Sequence, residues 1–190
     1  MTTIVAMHTP AGTWIGADSR AATGSGFRLA TTARKWVWSP DRSRAIGFSG
    51  ESRTYAVLAG GGVFPDDDDA NAVAGCIRHL LLGAGYQPKS GETGAPSYDN
   101  SFIYASPMGV WDIDSALSAD RIDDGDLWAR GSGAQFALGA GRALMRECPD
   151  MAPDAVLHRA LQAAAAYDLY TGGELFVHRL GASSPAESAT

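Results

Sequence analysis

Turn-forming residues cut this chain into blocks, and the order of those blocks is the strongest constraint on its fold. It runs strands, two helices, strands, two helices, then a last strand. "TTIVAMHT" and "TWIGADSR" are β-branched, apolar segments joined through "PAG", a strand pair around a tight turn. "ATGSGFRLATT" is rich in Gly, Ser and Thr and reads as a loop or irregular hairpin. "RKWVWS" and "SRAIGFSG" form a second pair around "PDR". "ESRTYAVLAGG" starts a helix with Glu51 and Ser52 in its first turn. "PDDDDANAVAGCIRHLLLGAGY" is a second helix, with acids where the helix dipole favours them. The DDDD run is therefore a solvated helix start, not a metal site. After the loop "PKSGETGAPSYDN" come the hairpin "SFIYASP" and "GVWDID" and the strand "LWARGSG". Two helices follow, "AQFALGAGRALMREC" and "APDAVLHRALQAAAAYDLY", and then the strand "ELFVHRL". Two sheets with helices outside them satisfy this order, which predicts a layered α+β fold.

Length and charge narrow the class. At 190 residues the chain suits one domain, read as residues 1–181, with 182–190 as a flexible C-terminal tail. A net charge of −6 argues against nucleic acid or an anionic membrane as partner. No apolar run nears the roughly 18 residues that span a bilayer. The start lacks the basic and apolar regions of a secretion signal, so a cytoplasmic protein is expected. Cys76 and Cys148 form no CxxC and suggest no disulfide framework.

Several residues carry chemistry, each with a plainer reading beside it. Thr2 follows the initiator Met1. If Met1 is removed, the α-amine of Thr2, with a reference pKa of about 7.7–8.0, can accept the proton of its own hydroxyl. One residue then supplies nucleophile and base; otherwise Thr2 is simply the residue that follows a start codon. Asp18 ends a strand, where aspartate is commonly a turn residue. The chain has 15 Lys and Arg, of which only Lys35 and Lys89 are lysine. Lysine can be tuned by burial where arginine cannot, so Lys35 is either a tuned cation paired with Asp18 or a surface lysine at a strand start. Gly50 stands between a strand and a helix, as an oxyanion donor or an ordinary turn glycine. Phe136 spoils a GxGxxG reading of "GSGAQF", and no HExxH or GxSxG is present.

Together these segments resemble the proteasome β-type subunits, including the HslV-like and other small bacterial homologues, which are N-terminal-nucleophile hydrolases. The resemblance runs from Thr2 to about Gly173. "TTIVA" looks like the mature N-terminus of that family, "IGADSRAATG" like its aspartate strand and loop, and "ARKWV" like its lysine segment. "GFSG" resembles the oxyanion segment, "GSG" gives Ser132, and "YDLYTGG" gives Asp168 and Thr171. The family fold is a four-layer α-β-β-α sandwich, in agreement with the element order. The resemblance implies catalytic roles for Thr2, Asp18, Lys35, Gly50, Ser132 and Asp168. It places substrate at Ala21, Ala22, Ala33, Phe48 and Ser52, where the bulky Phe48 would narrow the pocket. Ala22 stands where the family has threonine.

What the resemblance implies is a threonine-type endopeptidase cutting peptides or unfolded proteins inside a homo-oligomeric ring or double ring, with an ATPase unfoldase as candidate partner. No cofactor is required for the chemistry. A structural sodium or magnesium ion would sit on the backbone carbonyls of Ala165, Asp168 and Thr171. Maturation would need only removal of Met1. Small residues in "AQFALGAGRALM" would allow close packing between subunits. Two other readings are a catalytically silent ring protein with a structural or binding role, and a small-molecule amidohydrolase of the same mechanistic class.

Overall fold

The computed structural model describes residues 2–22, 28–30, 33–90 and 96–181; for residues 28–30 it describes the backbone alone. The 182–190 tail and Met1 lie outside the described residues. In chain order the elements are β1 (Thr3–Thr9), β2 (Gly12–Asp18), β3 (Ala21–Ala22), β4 (Arg28–Ala30), β5 (Trp36–Trp38), β6 (Ala45–Ser49), α1 (Thr54–Ala59) and α2 (Ala70–Gly83). There follow β7 (Lys89–Ser90), β8 (Pro96–Ser97), β9 (Ser101–Ser106), β10 (Gly109–Ile113), β11 (Ala119–Arg121), β12 (Leu127–Gly131), α3 (Ala134–Glu147), α4 (Pro153–Tyr167) and β13 (Leu175–Arg179).

One sheet has the order β12-β1-β2-β13 and the other β11-β10-β9-β6-β5, and the pairings within both are antiparallel. Period-2 alternation sorts the side chains between layers. From the first sheet, Ile4, Ala6, Ile15 and Ala17 meet Ala45, Ile103, Ala105 and Val110 of the second. The alternate residues Val5, Met7, Trp14, Leu127 and Ala129 pack on α3 through Ala137 and on α4 through Val156, Leu157, Ala160, Leu161 and Ala164. Ile46, Phe48, Phe102 and Tyr104 face α1 and α2, where Val73, Ile77 and Leu81 form the buried stripe of α2. The result is the expected α-β-β-α sandwich. Because both faces of each sheet are covered, β1 and β6 read as near-continuous apolar runs rather than alternating ones. Gly47 is small because of this stacking: a Cβ there would lie 2.7 Å from Ile4 Cγ2 of the facing sheet.

Element ends differ from the sequence reading where side chains compete for backbone groups. The acidic run stands ahead of α2 rather than in its first turn. Asp69 is the N-cap, accepting from Asn71 N–H at 2.9 Å, and the helix begins at Ala70. Glu51 and Ser52 likewise precede α1, which starts at Thr54. The loop reading over 22–32 contains the short β3–β4 ladder with a register shift. The 88–100 loop contains the two-residue β7–β8 ladder, and its residues 91–95 lie outside the described ones. The edge strand β11 was not expected. It is three residues of polar "ADR" whose pairing to β10 only the tertiary fold supplies. Cys76 and Cys148 are free. No helix among the described residues is long and apolar enough to cross a membrane.

Candidate active site

Antiparallel pairing of β1 with β2 sets Ile4 opposite Ala17, so the start of β1 lies beside the end of β2. That register brings Thr2 and Thr3 to Asp18. All three are essentially buried, at 2%, 0% and 1% exposure. The Thr2 hydroxyl donates to Asp18 Oδ1 at 2.6 Å, and Thr3 N–H donates to the same oxygen at 2.9 Å. Asp18 Oδ2 accepts from Gly172 N–H at 3.0 Å and from Arg20 N–H at 3.1 Å, the latter shared with Gly172 O. A buried carboxylate is costly unless its oxygens are satisfied, and here backbone donors from three segments meet that need.

On the other side of Thr2, β1 pairs with β12. Gly131 has φ +103, and a Cβ there would sit 1.8 Å from Thr2 O. Ser132 N–H donates to Thr2 O at 3.0 Å. The Ser132 hydroxyl donates to Asp168 Oδ2 at 2.7 Å, and the Thr171 hydroxyl donates to that oxygen at 2.5 Å. Thr171 Oγ1 lies 2.6 Å from Thr3 Oγ1. A continuous chain of hydrogen bonds therefore runs Thr3, Thr171, Asp168, Ser132, and returns to the Thr2 backbone. The Thr3–Thr171 link was missed in the sequence, since two hydroxyls 168 residues apart carry no local signal.

Lys35 stands just before β5. Its Nζ donates to Arg20 O at 2.6 Å and the residue is 8% exposed. Burial pushes its pKa below the ordinary lysine value, while the Asp18 carboxylate pulls the other way. Gly50 follows β6 with φ +129, a conformation that disfavours any side chain. A Cβ there would also meet Asp99 O at 2.3 Å and Asn100 Oδ1 at 2.4 Å.

Thr2, Lys35 and Gly50 open onto one cavity of about 630 Å³. Ala21, Ala22, Ala33, Phe48 and Ser52 line it too, so the structure brings together every residue assigned to substrate. Asp18, Ser132 and Asp168 stand behind Thr2 and do not line it. Three further lining residues were not foreseen: Arg34, Glu51 and Tyr55. Arg34 Nη1 donates to Tyr55 Oη at 3.1 Å, and the Tyr55 ring lies 6.5 Å from that of Phe48. Tyr55 reads in the sequence only as an apolar helix position, which hides its place at a cavity wall. Phe48 is 4% exposed, so its side chain belongs largely to the helix-side core.

Near the carbonyls named for a cation, Asp168 N–H donates to Ala164 O at 2.8 Å and Asp168 O accepts from Thr171 N–H at 3.3 Å. The described residues hold no group of three or more His, Cys, Asp or Glu side chains that could bind a metal.

Two stacked antiparallel sheets between helix pairs are the α+β fold of HslV- and proteasome-type structures. No family model matches the sequence, and no curated protein matches it. Solved structures do. BPH of Thiobacillus denitrificans, a bacterial proteasome homologue, aligns with a TM-score of 0.78 at 22% identity, covering 97% of this chain and 100% of that one. The same protein in complex with epoxomicin gives a TM-score of 0.75 at 23% identity, with coverages of 94% and 99%. Eukaryotic HslV from Trypanosoma brucei gives a TM-score of 0.69 at 19% identity, with coverages of 93% and 98%. The likeness is one of fold, carried by topology rather than by sequence.

Proposed function

We propose that this chain is a threonine-type peptidase whose nucleophile is Thr2, exposed as the mature N-terminus once Met1 is removed. The observation that carries this reading is the Thr2 hydroxyl, bonded to Asp18 at 2.6 Å at the wall of a cavity shared with Lys35 and Gly50. In the mature chain Thr2 Oγ attacks the scissile carbonyl carbon and the free α-amine takes the hydroxyl proton. The carbonyl oxygen becomes an oxyanion facing the Gly50 N–H. Collapse breaks the C–N bond, the amine returns the proton to the leaving nitrogen, and an acyl ester of Thr2 remains. Water, deprotonated by the same amine, hydrolyses the ester and restores Thr2. Lys35, poorly solvated and next to Asp18, holds positive charge where the Thr2 oxygen gains negative charge. Ser132 and Asp168 fix the backbone on the far side of Thr2.

That BPH has been solved in complex with epoxomicin supports the use of the same compound as a ligand for this fold. The reading extends to peptide or unfolded-protein substrates, a homo-oligomeric ring, a cytoplasmic location and an ATPase unfoldase as partner. The carbonyls of Ala165, Asp168 and Thr171 are hard oxygen donors suited to sodium or magnesium. A cation there would brace the turn that carries Asp168, with no step of the reaction running through it.

The test is the intact mass of the purified protein before and after incubation with epoxomicin, for wild type and Thr2→Ala. We expect wild type to lack Met1 and to gain one adduct per chain, and Thr2→Ala to gain none and hydrolyse no peptide. Full peptidase activity in Thr2→Ala would overturn the mechanism. A monomeric mass in solution would remove the ring.

A further inference from the structure

We infer that Asn100 is the positioning residue for the oxyanion donor, an inference that rests on the peptidase reading above. A Gly50 N–H can stabilise an oxyanion only if the turn that carries it is held before the reaction begins. That turn lies between β6 and α1, outside both ladders of regular hydrogen bonds, so something else must hold it.

The structure shows what does. β6 ends with Ser49 opposite Ser101, the first residue of β9. Asn100, one residue earlier, therefore lies across from Gly50 at the end of the strand pair. The residue is 3% exposed. Asn100 Oδ1 accepts from Glu51 N–H at 2.9 Å and from the Thr54 hydroxyl at 3.0 Å. The first bond fixes the peptide plane that follows Gly50. The second ties the same oxygen to the first residue of α1. Gly50 itself, at φ +129, lies flat against the Asp99–Asn100 backbone, where a Cβ would approach Asn100 Cα to 2.9 Å. This amide oxygen holds the C-terminal side of Gly50 to the strand beside it, the Ser49–Ser101 pair holds the N-terminal side, and the Gly50 N–H takes its direction from being fixed between them. Among the described residues, Asn100 Nδ2 has no hydrogen-bond partner.

The experiment compares wild type with Asn100→Ala in peptide hydrolysis and in binding two ligands. One is a peptide aldehyde, which forms a tetrahedral hemiacetal with the threonine hydroxyl. The other is the matching peptide alcohol, which forms none. Loss of an oxyanion donor costs about 10²–10³ in rate, and a misdirected one costs part of that. We expect kcat to fall by about tenfold to a hundredfold with KM within about twofold. Aldehyde affinity should fall in parallel with kcat, and alcohol affinity should stay unchanged. If Asn100→Ala does not fold, Asn100→Ser leaves a hydroxyl and room for a bridging water, and carries the same expectation. A folded variant with wild-type kcat and aldehyde affinity overturns the inference, as does equal loss of aldehyde and alcohol binding. A wild-type chain that hydrolyses no peptide sinks the peptidase reading instead.

Discussion

Replacing Asp18 by asparagine alters one atom in shape and removes one charge, yet the structure predicts a large loss of stability. Asp18 accepts four hydrogen bonds, two on each oxygen, from Thr2 Oγ1, Thr3 N, Gly172 N and Arg20 N. An asparagine has one acceptor oxygen. Whichever way its amide is turned, an NH₂ group faces two donors. A hydrogen bond to a charged group contributes about 1.5–3 kcal/mol, so losing two costs about 3–6 kcal/mol. A domain has only about 5–15 kcal/mol in total. For a chain of this length, 1 kcal/mol corresponds to about 2–4 °C in Tm, which puts the expected fall between about 6 and 24 °C. The site is 1% exposed, so solvent cannot replace the lost partners. Thermal unfolding at neutral pH, with urea unfolding to check the free energy, is the assay. A Tm within about 3 °C of wild type would refute the claim that this carboxylate ties β1, β2 and the 172 turn together.

Other consequences are equally concrete. Gly131→Ala forces a Cβ to 1.8 Å from Thr2 O at φ +103. We expect the pairing of β1 with β12 to open near Thr2, read as a Tm loss together with faster amide exchange at Ser132. Unchanged exchange there would count against this. Lys35 has a folded pKa below its unfolded value, so the unfolded chain binds more protons in the window between the two. Stability should therefore rise with pH across that window, up to about 10.4. Lys35→Met removes this dependence, so its stability relative to wild type should be highest below the window and decline as pH approaches the top of it. Urea midpoints at several pH values measure this, and a pH-independent difference would overturn it.

Much of the architecture was legible in the chain because periodicity is local. The unbroken apolar run from Ile4 to Met7 marks a strand covered on both faces, and the stripe of Val73, Ile77 and Leu81 marks a one-sided helix. Residue type singled out Lys35, one of two lysines among 15 basic residues, whereas Thr2, Asp18 and Gly50 each had a plainer reading and were joined only by the resemblance. Element ends were less legible. Asp69 competes for backbone N–H groups, and side-chain capping shifts a boundary without altering the pattern on either side of it.

The sequence by itself determined the longer strands and the helices and their order, but not the short ladders such as β11 on β10. Only the tertiary structure decided their partners. Gly172 joins Asp18, Thr171 joins Thr3 and Asn100 joins Glu51 across separations of 154, 168 and 49 residues. Those contacts follow from strand register and sheet stacking. They depend on many weak apolar contacts acting at once, and no local run of residues encodes where a distant donor will lie.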